Sequence, residues 1–458
     1  MVAAKRVRET PFLLPSYHKR KKNDDDDVYN IDGGSVNLPD DVLDNILSFL
    51  PIRKAMQVGI LSTRFSKSWL SSRRLEFGKE FARERGGADY MFILKKVFDL
   101  HAGPSIQSVK LYLNPKGKVE DLWVEGWIKK SIAKGVEELD LDFHEAGHHY
   151  GLSSALVDIE TLRILKLASC RFEVPVKLRG LRFLNTLVLR KMDISSLSTD
   201  TLFCSCLSLE TLDLAHVYGV SHLKIVARSL ERFKVLKIVN CSRICSIHID
   251  APTLNSIHYC GSVPTFKVVD VSQLDDLMLN FRPSIRYSTD CFQLGDLVNC
   301  LSHVRVLTTT STFLEGLCRG ILTELRFCLP NMKEFHLFME GALYCSPYDI
   351  AAFLKNCPAL EQIFIDLNEF SFYCGLYWEF HQQPEFEKLF VPFHNLRIIK
   401  LEGFKFDTYE LELAKFFLER AFNLEELALI TRKHCPHLIT KAALNIYNSG
   451  PEHLQRPE

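Results

Sequence analysis

The 458-residue chain reads as an α/β protein: a small N-terminal three-helix unit, then an irregular leucine-rich-repeat solenoid with a parallel β-sheet on one face. Three observations predict this. A pattern apolar-x-x-apolar-x-apolar recurs from Ile106 to Leu429. The middle residues of successive copies from Leu139 to Leu277 are separated by 26, 22, 25, 24, 21 and 20 residues, the spacing of a leucine-rich repeat. Ahead of them, residues 35–78 carry apolar side chains at helical rather than strand spacing.

The N-terminal unit is read as follows. Pro39 suits a first helical turn because it lacks the N–H that such a turn leaves unpaired, and Asp40 and Asp41 complement the positive end of the helix dipole. Leu43, Ile46, Leu47 and Leu50 fall at i, i+3, i+4 and i+7, one apolar face. Pro51 stops that helix by disfavouring the helical region for Leu50. A second helix carries Ala55, Met56, Val58 and Leu61. Ser62 is placed to cap a third, with Phe65 and Trp69 one turn apart. About forty residues bury too little to stand alone comfortably, so their apolar surface is expected to pack either on a partner or on the rest of this chain.

The run NLPDDVLDNILSFLP followed by ILSTRFSKSWL closely resembles the F-box. Leu38, Pro39, Asp40, Asp41, Leu43, Ile46, Leu47, Ser48, Phe49, Leu50, Pro51, Ala55, Leu61, Ser62, Arg64 and Trp69 match; Phe65 departs where an Arg-Trp pair is usual. The resemblance implies docking onto a Skp-family adaptor, and through it a cullin, within a ubiquitin ligase. By that resemblance Leu38, Pro39, Ile46, Leu47, Leu50, Pro51, Val58, Leu61 and Trp69 shape or support the adaptor-binding surface.

Around this unit the chain divides by composition. Residues 1–34 read as a disordered tail with an acidic run, Asp24 to Asp27. Its basic residues Lys5, Arg6, Lys19, Arg20, Lys21 and Lys22 read as a two-part nuclear import signal, placing the protein in the nucleus, the cytoplasm or both. Residues 79–105 read as a helical connector, broken at Gly86-Gly87 and ended by Gly103-Pro104.

Residues 106–432 are the expected solenoid. Within each copy the last two apolar positions alternate, as a short strand requires. One unit cannot bury its apolar face alone, but stacked units share a continuous core, each buried Leu contributing roughly 1.5–3 kcal/mol. Cys170 and Cys241, three residues after Leu167 and Ile238, are expected to be small buried side chains at strand exits. Helices are expected over Ala351 to Asn356 and Glu410 to Ala421, and helix-free connections around Pro252 and Pro264. Residues 393–432 resemble the FBD region that ends many plant F-box/leucine-rich-repeat proteins, carried by ELELAKFFLERAFNLEEL. Residues 433–458 read as a polar tail, with a last helical turn over Ala442 to Tyr447.

Several function classes receive no support. A formal net charge of +0 speaks against a general nucleic-acid or membrane-surface role, and no run approaches the ~18 apolar residues of a membrane span. The cysteine pairs Cys204/Cys206 and Cys241/Cys245 lack a second pair at zinc-ligand spacing, so free thiols in a reducing compartment are expected, with no metal and no other cofactor. His144-Glu145-Ala146-Gly147-His148 matches the zinc-peptidase motif, which needs a continuous helix. The strand-like Leu139 to Phe143 precedes it, Gly147 and Gly151 disfavour helix, and Asp158 or Glu160 are only nominal third ligands. No catalytic residues are assigned. The resulting expectation is a non-catalytic substrate receptor of a ubiquitin ligase that binds a protein client, ahead of a repeat scaffold without a ligase role and of a remote zinc metallopeptidase.

Overall fold

The computed structural model describes residues 39–61, 65–85, 87–114, 118–143, 150–152, 159–172, 180–282, 294–299, 301–318, 327–340, 345–372, 375–431 and 436–439. Two compact units are distinguished, residues 1–43 and 44–458. The described part of the first is the opening turn of helix α1 (Asp40–Ser48), where the Leu43 N–H donates to the Pro39 carbonyl at 3.0 Å.

In the second unit, α2 (Ile52–Leu61) follows Pro51, and a short 3-10 turn spans Ser68–Ser71. The third helix of the expected trio is thus one 3-10 turn among the described residues. Strand β1 (Arg74–Phe77) follows at once, then α3 (Lys79–Arg85), α4 (Gly87–Leu100), β2 (Ser108–Tyr112), α5 (Lys118–Ala133) and β3 (Glu138–Asp142). The sheet therefore begins at Arg74 rather than near Ile106. The stretch read as a connector supplies the helices between its first two strands.

The middle of the unit is dominated by strands. These are β4 (Tyr150–Gly151), β5 (Ile164–Ala168), β6 (Cys170–Arg171), β7 (Thr186–Arg190), α6 (Thr199–Ser205), β8 (Thr211–Ala215), β9 (His222–Val226) and β10 (Val235–Val239). They continue with β11 (Ser246–Asp250), β12 (Ser256–Gly261), β13 (Thr265–Asp270) and β14 (Asp276–Phe281). Helices then return: α7 (Leu294–Asn299), β15 (Val306–Thr310), α8 (Ser311–Cys318), β16 (Glu334–Phe338), α9 (Pro347–Leu354) and β17 (Gln362–Asp366). The last elements are α10 (Gly375–Tyr377), α11 (Gln383–Lys388), β18 (Ile398–Glu402), α12 (Thr408–Arg420), β19 (Glu426–Ile430) and β20 (Pro436–Ile439).

Fifteen strands form one sheet in the order β1-β2-β3-β5-β7-β8-β10-β12-β14-β15-β16-β17-β18-β19-β20, parallel throughout except for the final β19–β20 pair. The register stacks the repeat pattern without a slip. Leu75, Val109, Leu139, Leu165, Leu187 and Leu212 occupy one rung position, continued by Leu236, Ile257, Leu277, Leu307, Phe335, Ile363, Ile399 and Leu427. All are buried. A one-residue slip would turn every one of them to the other face, so burial enforces the register. Cys170 and Cys241 are buried at 3% and 5% exposure, and burial raises both thiols, Cys170 to about 12.

Between Leu212 and Leu277 the repeats are helix-free, and their return segments form a second parallel sheet, β13-β11-β9. The reason is length. The repeat period falls to 20–24 residues here, and an extended segment covers about twice the distance per residue of a helix. Helices α6 and α7 pack on β9 and β13, the two edges of this small sheet, where unpaired backbone would otherwise be open to another chain.

Candidate docking surface: N-terminal helices and strand face

The F-box-like helices of the second unit are fastened to the first strand by hydrogen bonds. The Arg73 N–H donates to the Ser48 carbonyl at 2.7 Å, and Ser72 Oγ donates to the Leu50 carbonyl at 2.8 Å. Pro51 bridges Arg74. The Arg73 guanidinium donates to Asn45 Oδ1 at 3.0 Å and lies 4.4 Å from the centre of the Phe49 ring. Gly59 permits close approach of the segment after α2, since a Cβ there would stand 3.0 Å from the Phe65 carbonyl oxygen.

A buried histidine locks this joint from behind. The Lys134 ammonium, a donor only, reaches His101 Nδ1 at 2.8 Å, so Nε2 carries the hydrogen and donates to the Ser72 carbonyl at 2.9 Å. The Ala102 N–H adds a bond to the Leu70 carbonyl at 2.9 Å. Burial lowers the His101 pKa from its ordinary value, the Ser72 carbonyl opposes this, and Lys134 and Lys130 lower it further.

Ile52 and Ala55 of α2 have no exposed surface, and Met56 packs against the core. Exposed apolar side chains remain on and next to these helices: Ile46 is 51%, Phe49 53% and Ile60 84% exposed. Of the residues expected to shape a docking surface, Ile46 is thus exposed, Leu47, Leu50, Pro51, Val58 and Trp69 are half-buried, and Pro39 is exposed in the first unit. Leu38 and the side chain of Leu61 lie outside the described residues, as do the six basic residues of the import signal. Ile60 was not legible as a docking residue. The signal that would have found it is an apolar residue lying off the buried face of α2.

The strand face is the second exposed surface. Its N-terminal half spends its charges on itself: Lys166 Nζ bonds Glu138 at 2.8 Å, Lys110 lies 3.8 Å from Asp140, and Arg190 lies 3.7 Å from Asp213. Burial tends to raise the Glu138 carboxyl, but bonds from Lys166 and Ser108 bring it below the usual range. Further along, Asp276 is drawn down by the His258 imidazole at 3.4 Å, against the opposing effect of burial.

Little here resembles a catalytic centre. A cleft of about 320 Å³ has Arg305 and Lys333 in its wall, but Arg305 is paired with Asp275 and Lys333 with Glu361. No cluster of three or more metal-ligating side chains occurs among the described residues, and none of their helices is long and apolar enough to cross a membrane. His144 to His148 lies outside the described residues, just beyond the end of β3.

The family model described as the At1g61320/AtMIF1 LRR domain matches residues 97–450. At1g61330 of Arabidopsis thaliana, which bears an FBD-associated F-box designation, is 34% identical over 403 residues, spanning 86% of this chain and 90% of its own. The chain belongs to the plant FBD-associated F-box/leucine-rich-repeat family. A second Arabidopsis member, FBD-associated F-box protein At1g61320, is 31% identical over 406 residues, covering 86% and 88% of the two chains. In this F-box/leucine-rich-repeat chain the FBD-like stretch is not a separate body: β18 and β19 are strands of the long sheet and α12 lies between them. Asp407 caps α12 by accepting from the Tyr409 and Glu410 N–H groups. The family match starts within α4, so β1 lies ahead of it. No family of catalytic enzymes is indicated.

Proposed function

We propose that this F-box/leucine-rich-repeat chain is the substrate-recognition subunit of a Skp–cullin–F-box ubiquitin ligase. Its N-terminal helices dock a Skp-family adaptor, and its strand face holds a protein client for ubiquitination and degradation. The observation that carries this reading is the exposure of Ile60, on an α2 whose Ile52 and Ala55 are already buried, together with that of Ile46 and Phe49. Burying such a side chain contributes roughly 1.5–3 kcal/mol, and a partner's apolar surface recovers what the chain leaves unused. The chain performs no chemistry of its own; it raises the local concentration of client lysines near a charged conjugating enzyme. The hydrogen-bonded joint at Ser72 and Arg73 supports this division of labour, because it holds the helices against β1. Residence in the nucleus, the cytoplasm or both belongs to the same reading.

The test is capture of a purified Skp-family adaptor by the full chain. Ile60→Lys, and separately the Leu38→Ala, Pro39→Ala pair, are expected to weaken capture by about tenfold or more, as for a central residue of an interface. Undiminished capture by both would remove the proposed surface.

A further inference from the structure

The two halves of the strand face treat charge differently, and the C-terminal half leaves an aromatic ledge inside an acidic surround. Residues at alternate positions of a strand share a face. In β16 to β18 the inward set Phe335, Leu337, Ile363, Ile365, Ile399 and Leu401 is at most 1% exposed. The outward set is partly exposed and forms three rows across neighbouring strands. His336, Phe364 and Lys400 make the central row. Phe338, Asp366 and Glu402 flank it on the strand-exit side, and Glu334, Gln362 and Ile398 on the other.

Phe364 is the middle of the ledge. Its ring centre lies 5.8 Å from that of His336 and 6.1 Å from that of Phe338. Three rings therefore stand side by side, half-exposed, on a sheet whose other half carries paired ions. The surround is acidic. Glu334, Asp366 and Glu402 lie on the face, and Glu340 and Glu369 are exposed where β16 and β17 end. Against these five carboxylates stand Lys400, 3.9 Å from Glu426, and Lys405, which donates to the Phe370 carbonyl. His336 Nε2 lies 3.6 Å from Glu334, and Asp366 Oδ1 accepts the Asn368 N–H at 2.8 Å.

We propose that the β16–β18 ledge is a docking site for a client segment in which basic side chains flank an aromatic or aliphatic one. The inference rests on the receptor reading above and deepens it. An arginine of such a segment meets a carboxylate on either side of a ring face it can stack on, which combines charge pairing with a cation–π contact. The excess of carboxylate repels an acidic client or a nucleic acid and speeds the encounter with a basic one. The N-terminal half offers neither feature, because Lys110, Lys166 and Arg190 already neutralise their neighbours.

The experiment uses the full chain and three short fluorescein-labelled peptides: alternating Arg and Phe, alternating Glu and Phe, and alternating Arg and Ser. The Arg–Phe peptide is expected to bind about tenfold or more tighter than either of the others. Phe364→Ala and Glu402→Lys are each expected to weaken it by about fivefold or more at unchanged melting temperature, and Lys166→Glu to leave it unchanged. Equal or tighter binding of the Glu–Phe peptide overturns the proposal, as does full binding by both ledge variants. Adaptor capture, measured on the same preparations, separates the two readings. Loss of peptide preference with intact adaptor capture removes the ledge alone. A parent chain that fails to capture adaptor but keeps the preference removes the receptor role and leaves the ledge standing.

Discussion

Ile60 and Ile399 are the same side chain with opposite fates: one is 84% exposed, the other has no exposed surface. Ile399 sits on a rung between Ile363 and Leu427, so each neighbouring repeat covers one of its sides. Ile60 is on α2, whose packed face is made by Ile52 and Ala55. Burial in this molecule follows from being repeated. A residue in the ladder inherits partners from the units before and after it, whereas an apolar residue on the N-terminal helices has a partner only where the chain happens to supply one. The difference between repeat body and N-terminal helices can be broken or sharpened at three points, in falling order of expected effect on stability.

The largest effect belongs to the repeat body. Phe353 of α9 has no exposed surface, and its ring centre lies 5.1 Å from that of Phe335 and 5.9 Å from those of Phe313 and Phe327. Phe353→Ala is expected to cost about 3–5 kcal/mol, because the transfer free energy is lost and a cavity is left among three other rings. Urea unfolding measures it. A loss below about 1 kcal/mol would mean that the neighbouring units collapse into the gap and that repeats do not hold their partners rigidly.

An intermediate effect is expected at the joint, and it depends on pH. His101 is easier to keep neutral in the folded chain than in the unfolded one, because its pKa is lowered mainly by burial. As pH falls, the unfolded chain therefore takes up this proton first. The contribution to stability is complete above the ordinary imidazole value of about 6.5 and declines as the pH falls through it toward the lower folded value. The urea midpoint should drop between about pH 7.5 and about pH 5.5, and His101→Gln should flatten that drop. Parallel pH profiles for parent and variant would place the sensitivity in some other group.

The smallest effect on stability belongs to α2. Ile60→Lys replaces a side chain that is already in water, so the melting temperature should correspond to a change within about 0.5 kcal/mol, even as adaptor capture weakens. A clear destabilisation would show that Ile60 is part of the core and would erase the contrast with Ile399.

Much of this fold was legible because the repeat writes its register in leucines. The positions spaced from Leu139 to Leu277 are the residues that meet rung by rung, and Cys170 and Cys241 are buried as their offsets implied. β1 was not legible. Its Leu75 and Phe77 follow directly on the F-box-like stretch and were absorbed into it, yet in space they open the ladder. The second sheet was also hidden. Leu223 and Ile225, Ile247 and Ile249, and Phe266 alternate correctly for strands, but in one dimension they look like connections. At the candidate docking surface, Ile46 stood out by its place in the motif, while the exposure of Ile60 depends on which side of α2 meets the chain.

The sequence alone determined the repeat, its register, the helical character of residues 40–61 and the membership of its family, because these depend on the kind and spacing of side chains. Tertiary structure decided what spacing does not encode. It assigned β1 to the sheet, turned the short returns between β8 and β14 into a second sheet, and set Phe364 between His336 and Lys400. The physical reason is that a period states which residues repeat, whereas lateral neighbours in a parallel sheet come from different turns of the chain. The aromatic ledge joins rings more than twenty residues apart in sequence, and stacking the turns is what makes them one surface.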